Sequence, residues 1–177
     1  MKFTRLNPVT GEVASEAEAM QAADMAAVAE KAQQGFEAWS KVGPNARRAV
    51  LQKAATALES KQDAFVAAMM GETGATAGWA MFNLMLAASM LREASALTTQ
   101  ISGEVIPSDK PGCMAMALRE PVGVILGIAP WNAPIILGTR AVSTALACGN
   151  AVILKASEIC PLTHSLIIEA LAEAGFP

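Results

Sequence analysis

One amide side chain stands apart in GIAPWNAP, residues 127–134. Asn132 lies between Trp131 and Ala133, on a stretch stiffened by Pro130 and Pro134, with the apolar runs VGVIL before it and IILG after it. A carboxamide fixed at such a turn can aim its NH2 at an oxygen that gains negative charge during a reaction. Preorganised donors of this kind lower barriers, and losing one costs about 2.7–4 kcal/mol. The same side chain can instead cap a helix beginning at Ala133 or Pro134, a role worth about 1 kcal/mol. A second polar group follows in KASE, where Lys155 and Glu158 stand three residues apart after a run of apolar residues. An ammonium that donates and a carboxylate that accepts suit ribose hydroxyls. They equally suit a surface ion pair beside a loop, worth about 0–1 kcal/mol. No G-x-G-x-x-G occurs in this part of the chain, so the usual dinucleotide fingerprint is missing.

Other residues carry weaker chemistry. His164 sits in the first turn of the last helix with no acidic or cysteine partner at a catalytic spacing, and reads as a satisfied or exposed helix histidine. Cys148, inside ALACGN, reads as small-residue packing. Cys160 precedes Pro161 at a helix N-terminus, where a thiolate is stabilised, yet nothing else in the sequence activates it and it reads as inert. Trp79, Phe82, Asn83 and Leu86 share one helical face that either lines an aromatic pocket or packs in the core, and Asn83 then needs a partner. Cysteines at 113, 148 and 160 are odd in number and lack metal-ligand spacing, so neither a disulfide framework nor a metal site is expected.

The elements that must position these groups follow from pattern. The chain has 177 residues, 53% of them hydrophobic and 16% charged, against about 25% charged in a typical globular domain. The formal charge is −3 and no Lys/Arg stripe forms, which argues against nucleic acid and anionic membrane surfaces. Residues 74–91 are apolar for a long stretch, but Thr76, Asn83, Ser89 and the absence of basic flanks on both sides make a buried helix the better reading than a membrane span. The first fifteen residues lack an apolar signal core, so a reducing cytoplasm is expected.

The first hundred residues read as helices. Met25, Val28, Ala32, Phe36 and Trp39 mark one face over 24–40, and Val50, Leu51, Ala54 and Leu58 mark the next after Pro44. A third helix is expected over 61–70, interrupted at 71–74. A fourth covers 77–100, its first half apolar all round and expected to be buried all round. Turn residues Pro107, Ser108, Asp109, Pro111 and Gly112 predict a hairpin over about 103–119. The last third reads strand–helix–strand–helix: PVGVILGIA, a helix over 134–148 closed by Gly149, AVILK, and a helix from Pro161 to Gly175. Short connections make the two strands parallel, and their continuous apolar runs predict cover on both faces. Ligands of such sheets lie beyond the carboxyl ends of the strands, which places Asn132, Lys155 and Glu158 on one crevice.

Four stretches in order, NPVTGEV, REPVGVILGIAPWNAP, ALACGNAVILKASE and EAGFP, resemble motifs of the aldehyde dehydrogenase superfamily across nearly the whole chain. The stretch GEVIPSDKPGCMAMALREPVG is similar to the subgroup acting on salicylaldehyde, vanillin or benzaldehyde. The resemblance implies an α/β fold: N-terminal helices (1–100), a protruding oligomerisation hairpin (101–121), and the first strand–helix–strand–helix unit (122–177) of a Rossmann-like, NAD-binding parallel sheet, left incomplete. It implies that Asn132 is the oxyanion donor, that Ile128, Ala129, Pro130 and Trp131 border the nicotinamide half of NAD, and that Lys155, Ser157 and Glu158 hold the adenosine ribose. A carboxylate at Glu158 favours NAD over NADP by repelling a 2′-phosphate. The implied reaction oxidises an aldehyde to the acid through a cysteine thiohemiacetal and thioester, in a homodimer or homotetramer.

None of the three cysteines matches the family's nucleophile motif, and the catalytic domain, with that cysteine and the general-base glutamate, is not in these residues. A front portion of such an enzyme, inactive by itself, is therefore the expectation. The alternative is a non-catalytic nucleotide-binding or oligomerisation module, distinguished by whether the reading frame continues past Pro177.

Overall fold

The computed structural model describes residues 2–177. The chain opens on a hairpin that the helix-only reading of the first hundred residues omitted. Strand β1 (Lys2–Leu6) pairs antiparallel with β2 (Val13–Glu18), from Lys2↔Glu18 to Leu6↔Val13. The turn is built by Asn7, whose Oδ1 accepts the N–H of Val9 at 2.8 Å, and by Gly11 at φ +76°. An Asx turn with a left-handed glycine is a known hairpin chemistry, and it was readable in NPVTG.

After a short 3-10 turn at Ala22–Asp24 come four helices: α1 (Met25–Trp39), α2 (Pro44–Ser60), α3 (Gln62–Thr73) and α4 (Ala77–Leu97). Helix α3 runs through Gly71 and stops at Gly74, which takes φ +71°. The β3–β4 hairpin follows (Glu104–Ile106 with Ala115–Ala117), then β5 (Val124–Ile128), α5 (Pro134–Ala147), β6 (Ala151–Lys155) and α6 (Pro161–Ala174). Strands β5 and β6 are parallel, in register from Val124↔Ala151 to Ile128↔Lys155. Proline opens α2, α5 and α6, and left-handed Gly149 and Gly175 follow α5 and α6.

The core lies among α2, α3, α4, α5 and α6, where Leu51, Leu58, Phe65, Met69, Leu84, Leu91, Ile135, Val142 and Ile167 are buried together. Helices α1 and α5 both lie against the β5–β6 pair. Trp39 ends α1 by donating its indole N–H to the Leu146 carbonyl at 2.8 Å and packing its ring on Phe176, centroids 4.6 Å apart. Asn150 brackets the parallel pair: its Oδ1 accepts the N–H of Val122 and of Gly123 at 2.8 and 3.1 Å, and its Nδ2 donates to Ala145 O at 3.1 Å.

Helix α6 lacks a side-chain cap of its own. Glu72, at the end of α3 and fully buried, supplies one: Oε1 accepts from Leu162 N–H at 2.8 Å and Oε2 from Thr163 N–H at 2.9 Å. The hydroxyls of Ser15 and Thr163 complete the shell at 2.5 and 2.7 Å. A carboxylate there meets the positive end of the helix dipole and ties the first hairpin, α3 and α6 together.

Two expectations of burial need correcting. The first half of α4 is not covered all round: Trp79, Phe82 and Met85 are exposed, with the Trp79 and Phe82 rings stacked at 5.5 Å. Strand β5 is not covered on both faces, since Leu126 and Ile128 are 60% and 67% exposed while Gly127 is buried against Ala141 of α5. In both places these apolar side chains stand partly open to solvent. Every residue of β3 is exposed, as are Met114, Met116 and Leu118 on and around β4.

Candidate active site

The carboxyl ends of β5 and β6 meet as the topology requires. Ile128 and Lys155 are register partners, and the Ala129 N–H donates to the Lys155 carbonyl at 3.1 Å. The two loops leaving this edge, 129–133 and 156–160, therefore start side by side. Each runs into a helix whose first residue is a proline, so neither has slack.

On the first loop, Ala129 is buried while Ile128, Pro130, Trp131 and Asn132 are exposed. The cap position of α5 belongs to Ala133, and no side chain caps that helix. Asn132 is thus not the cap that spacing allowed. Its carboxamide forms no hydrogen bond with the described residues and is free to meet a ligand.

On the second loop, Lys155 Nζ and Glu158 Oε2 are 3.4 Å apart and both side chains are exposed. A backbone hydrogen bond at Glu158 itself, and then the Lys155 ammonium, hold the Glu158 carboxyl below its ordinary range, so it is charged at neutral pH. Ser157 behaves differently from its neighbours. It is buried, and its hydroxyl accepts the Ile159 N–H at 3.2 Å within the loop. This edge therefore presents Lys155 and Glu158, with Ser157 shaping the turn that carries them.

Residues set aside or missed in the sequence hold this arrangement from behind. His164 is buried and its Nδ1 accepts the Ser157 N–H at 3.1 Å. Cys160 is buried with its Sγ 3.9 Å from that nitrogen. Burial, and then the charge of Glu72, push the Cys160 thiol up to about 12, so the helix N-terminus does not activate it. The dipole there already serves Glu72. Cys148 ends α5 at the opposite end from Asn132, and Cys113 lies exposed on the β3–β4 hairpin. Asn83 finds half of its partners: Nδ2 donates to Trp79 O at 3.0 Å and Oδ1 has none among the described residues.

Among the described residues no three His, Cys, Asp or Glu side chains gather where they could hold a metal ion, and no helix is long and apolar enough to cross a membrane. A groove of about 530 Å³ runs along β6 between α1 and α6, lined by Val28, Trp39, Val152, Leu154, Ile168 and Phe176. It is apolar and does not include Asn132, Lys155 or Glu158, so the polar edge formed by the two loops, and not this groove, carries the candidate chemistry.

The model of the aldehyde dehydrogenase family matches residues 1–177. A vanillin dehydrogenase of Pseudomonas fluorescens is 57% identical over 173 residues, covering 98% of this chain and 36% of that protein. The crystal structure of a salicylaldehyde dehydrogenase from Pseudomonas putida G7, complexed with salicylaldehyde, superposes with a TM-score of 0.96 at 45% identity, covering 100% of this chain and 37% of that one. An NAD-dependent benzaldehyde dehydrogenase from Corynebacterium glutamicum superposes with a TM-score of 0.95 at 31% identity, covering 100% and 38%. The chain thus spans 36–38% of the length of these relatives and matches the N-terminal part of their fold.

Proposed function

The chain belongs to the aldehyde dehydrogenase family, and from that premise we propose that it supplies the cofactor crevice and oxyanion donor of an enzyme that oxidises an aromatic aldehyde to its acid with NAD. One observation carries the reading: the free, exposed carboxamide of Asn132 stands on the loop leaving β5, whose register partner strand presents the Lys155–Glu158 pair.

The residues at this edge fit a dinucleotide. Lys155 donates and Glu158 accepts, which matches the two hydroxyls of a ribose. Exposed Ile128 and Trp131 offer apolar surface to an aromatic ring. A charged Glu158 opposes a 2′-phosphate, and Lys155 at 3.4 Å offsets part of that repulsion, so NAD is preferred without NADP being excluded. The nicotinamide, when bound, accepts the hydride. Asn132 donates its N–H to the aldehyde oxygen as charge develops there, from a turn that does not have to rearrange.

The three cysteines of this chain are poorly placed to attack: one is exposed on a hairpin, one ends α5, and one is buried with its thiol raised. The reading therefore takes the nucleophile and the general base from beyond these residues. The exposed apolar side chains of the β3–β4 hairpin suit an arm that pairs with another subunit.

Steady-state kinetics on the protein as its gene encodes it tests the proposal. Vanillin, salicylaldehyde and benzaldehyde should each exceed an aliphatic aldehyde of similar size in kcat/KM by about tenfold, and NAD should exceed NADP by a similar factor. Equal or better turnover of the aliphatic aldehyde, or preference for NADP, contradicts it.

A further inference from the structure

The loop carrying Glu158 rests on an imidazole for which the proposed chemistry has no use. His164 is 1% exposed, and its Nδ1 accepts the Ser157 N–H at 3.1 Å. An accepting Nδ1 requires the neutral ring with its proton on Nε2. That ring sits in space only a glycine leaves open. A methyl group on Gly138 of α5 would stand 3.0 Å from His164 Cδ2, 3.5 Å from Nε2 and 2.6 Å from Ile167 Cδ1. Desolvation by burial, with Lys155 acting in the same direction, lowers the pKa of His164 to about 4. The Pro134 carbonyl opposes this, although Nε2 has no hydrogen bond of regular geometry among the described residues.

The bond falls at a telling place. Ser157 separates Lys155 from Glu158, so holding its N–H fixes the peptide on which their mutual geometry depends. Two of the loop's other ties are internal, Ile159 N–H to Ser157 Oγ at 3.2 Å and Cys160 N–H to Ser157 O at 3.3 Å, while Cys160 O accepts the His164 backbone N–H at 3.2 Å where the loop enters α6. The two internal bonds shape the turn but do not anchor it. Glu72 fixes the far end, at Leu162 and Thr163. At the near end β5 holds Lys155 through the Ala129 N–H, and the His164 ring holds the Ser157 peptide that follows.

We infer that His164 is a positioning residue, which sets the 156–160 loop against α6 so that Lys155 and Glu158 face one nucleotide ribose together. The inference rests on the nucleotide reading above and adds to it a residue that touches no cofactor.

Two substitutions in the protein as its gene encodes it separate this role from packing. His164→Asn puts a carbonyl oxygen near the place of Nδ1 and keeps the acceptor, whereas His164→Leu fills the space without one. In His164→Leu, amide exchange over 156–160 should rise about tenfold and the NAD KM about tenfold, with kcat and the aldehyde KM within about twofold of wild type. His164→Asn should return both quantities to within about threefold of wild type. Where His164→Leu does not fold, His164→Ala takes its place in the same comparison. Unchanged loop exchange overturns the inference. So does an equal rise of NAD KM in the Asn and Leu variants, which marks bulk packing, and so does faster exchange without a rise in NAD KM. Glu158→Ala distinguishes the two levels. If it raises the NAD KM while His164→Leu does not, only the positioning role fails. If it leaves the NAD KM unchanged, the nucleotide reading fails and the inference falls with it.

Discussion

A carboxamide braced between two prolines loses little freedom on meeting an oxyanion, and Asn132 has no internal hydrogen bond to break first. His164 is its opposite: buried, bonded, and useful only while uncharged. Its pKa in the fold, about 4, lies below the ordinary 6.5. The unfolded chain therefore takes up a proton before the folded one does, and stability from this residue is fully present above pH 6.5 and is lost as pH falls toward about 4. Denaturation midpoints measured across that window should show the wild type losing ~3 kcal/mol more than His164→Asn, which has nothing to protonate. Parallel pH profiles for the two proteins would show that the buried imidazole does not govern acid stability. Burial is what the sequence concealed here. The position of His164 in the first turn of a helix was plain, but the glycine that admits its ring lies on a different helix.

The elements divide by how local their causes are. Proline-opened, glycine-closed helices around β-branched strands made the β5–α5–β6–α6 unit readable to within three residues, the start of β5 being the largest difference, and the three-to-four spacing marked the helices before it. The first hairpin escaped because β1 and β2 are short and mostly polar, so their alternation is faint beside the turn chemistry of Asn7 and Gly11. Asn150 and Glu72 escaped for another reason: their partners are remote in sequence, Glu72 meeting Leu162 at a separation of 90 residues. No periodicity encodes such a pairing. Glu72→Ala strips the acceptor from two backbone N–H groups at the head of α6 and from the hydroxyls of Ser15 and Thr163. A loss of about 3 kcal/mol or more is expected in chemical denaturation, with Glu72→Gln losing less because one acceptor oxygen remains. Equal stability of Glu72→Ala and wild type would show that water caps the helix as well.

Over the whole molecule, the apolar surface left open is concentrated in a few places: the outer face of α4, the outer side of β5, the β3–β4 hairpin and the groove beside β6. Parallel strands with free edges and uncovered apolar faces invite association. The 177 residues expressed alone should therefore aggregate in sedimentation or light scattering, and a monodisperse, cooperatively melting product would contradict that account. Relatives of which this chain spans 36–38% have the further length to cover such surfaces. On the proposed function catalysis belongs to this scale too, because an oxyanion donor, a cofactor site and an attacking group must act together. The most direct test is turnover of Asn132→Ala in the protein as its gene encodes it, with its melting temperature measured alongside. The account predicts a fall in kcat of roughly a hundredfold or more with the melting temperature unchanged. Undiminished kcat, with only the melting temperature lowered, would show that Asn132 serves the fold and not the reaction.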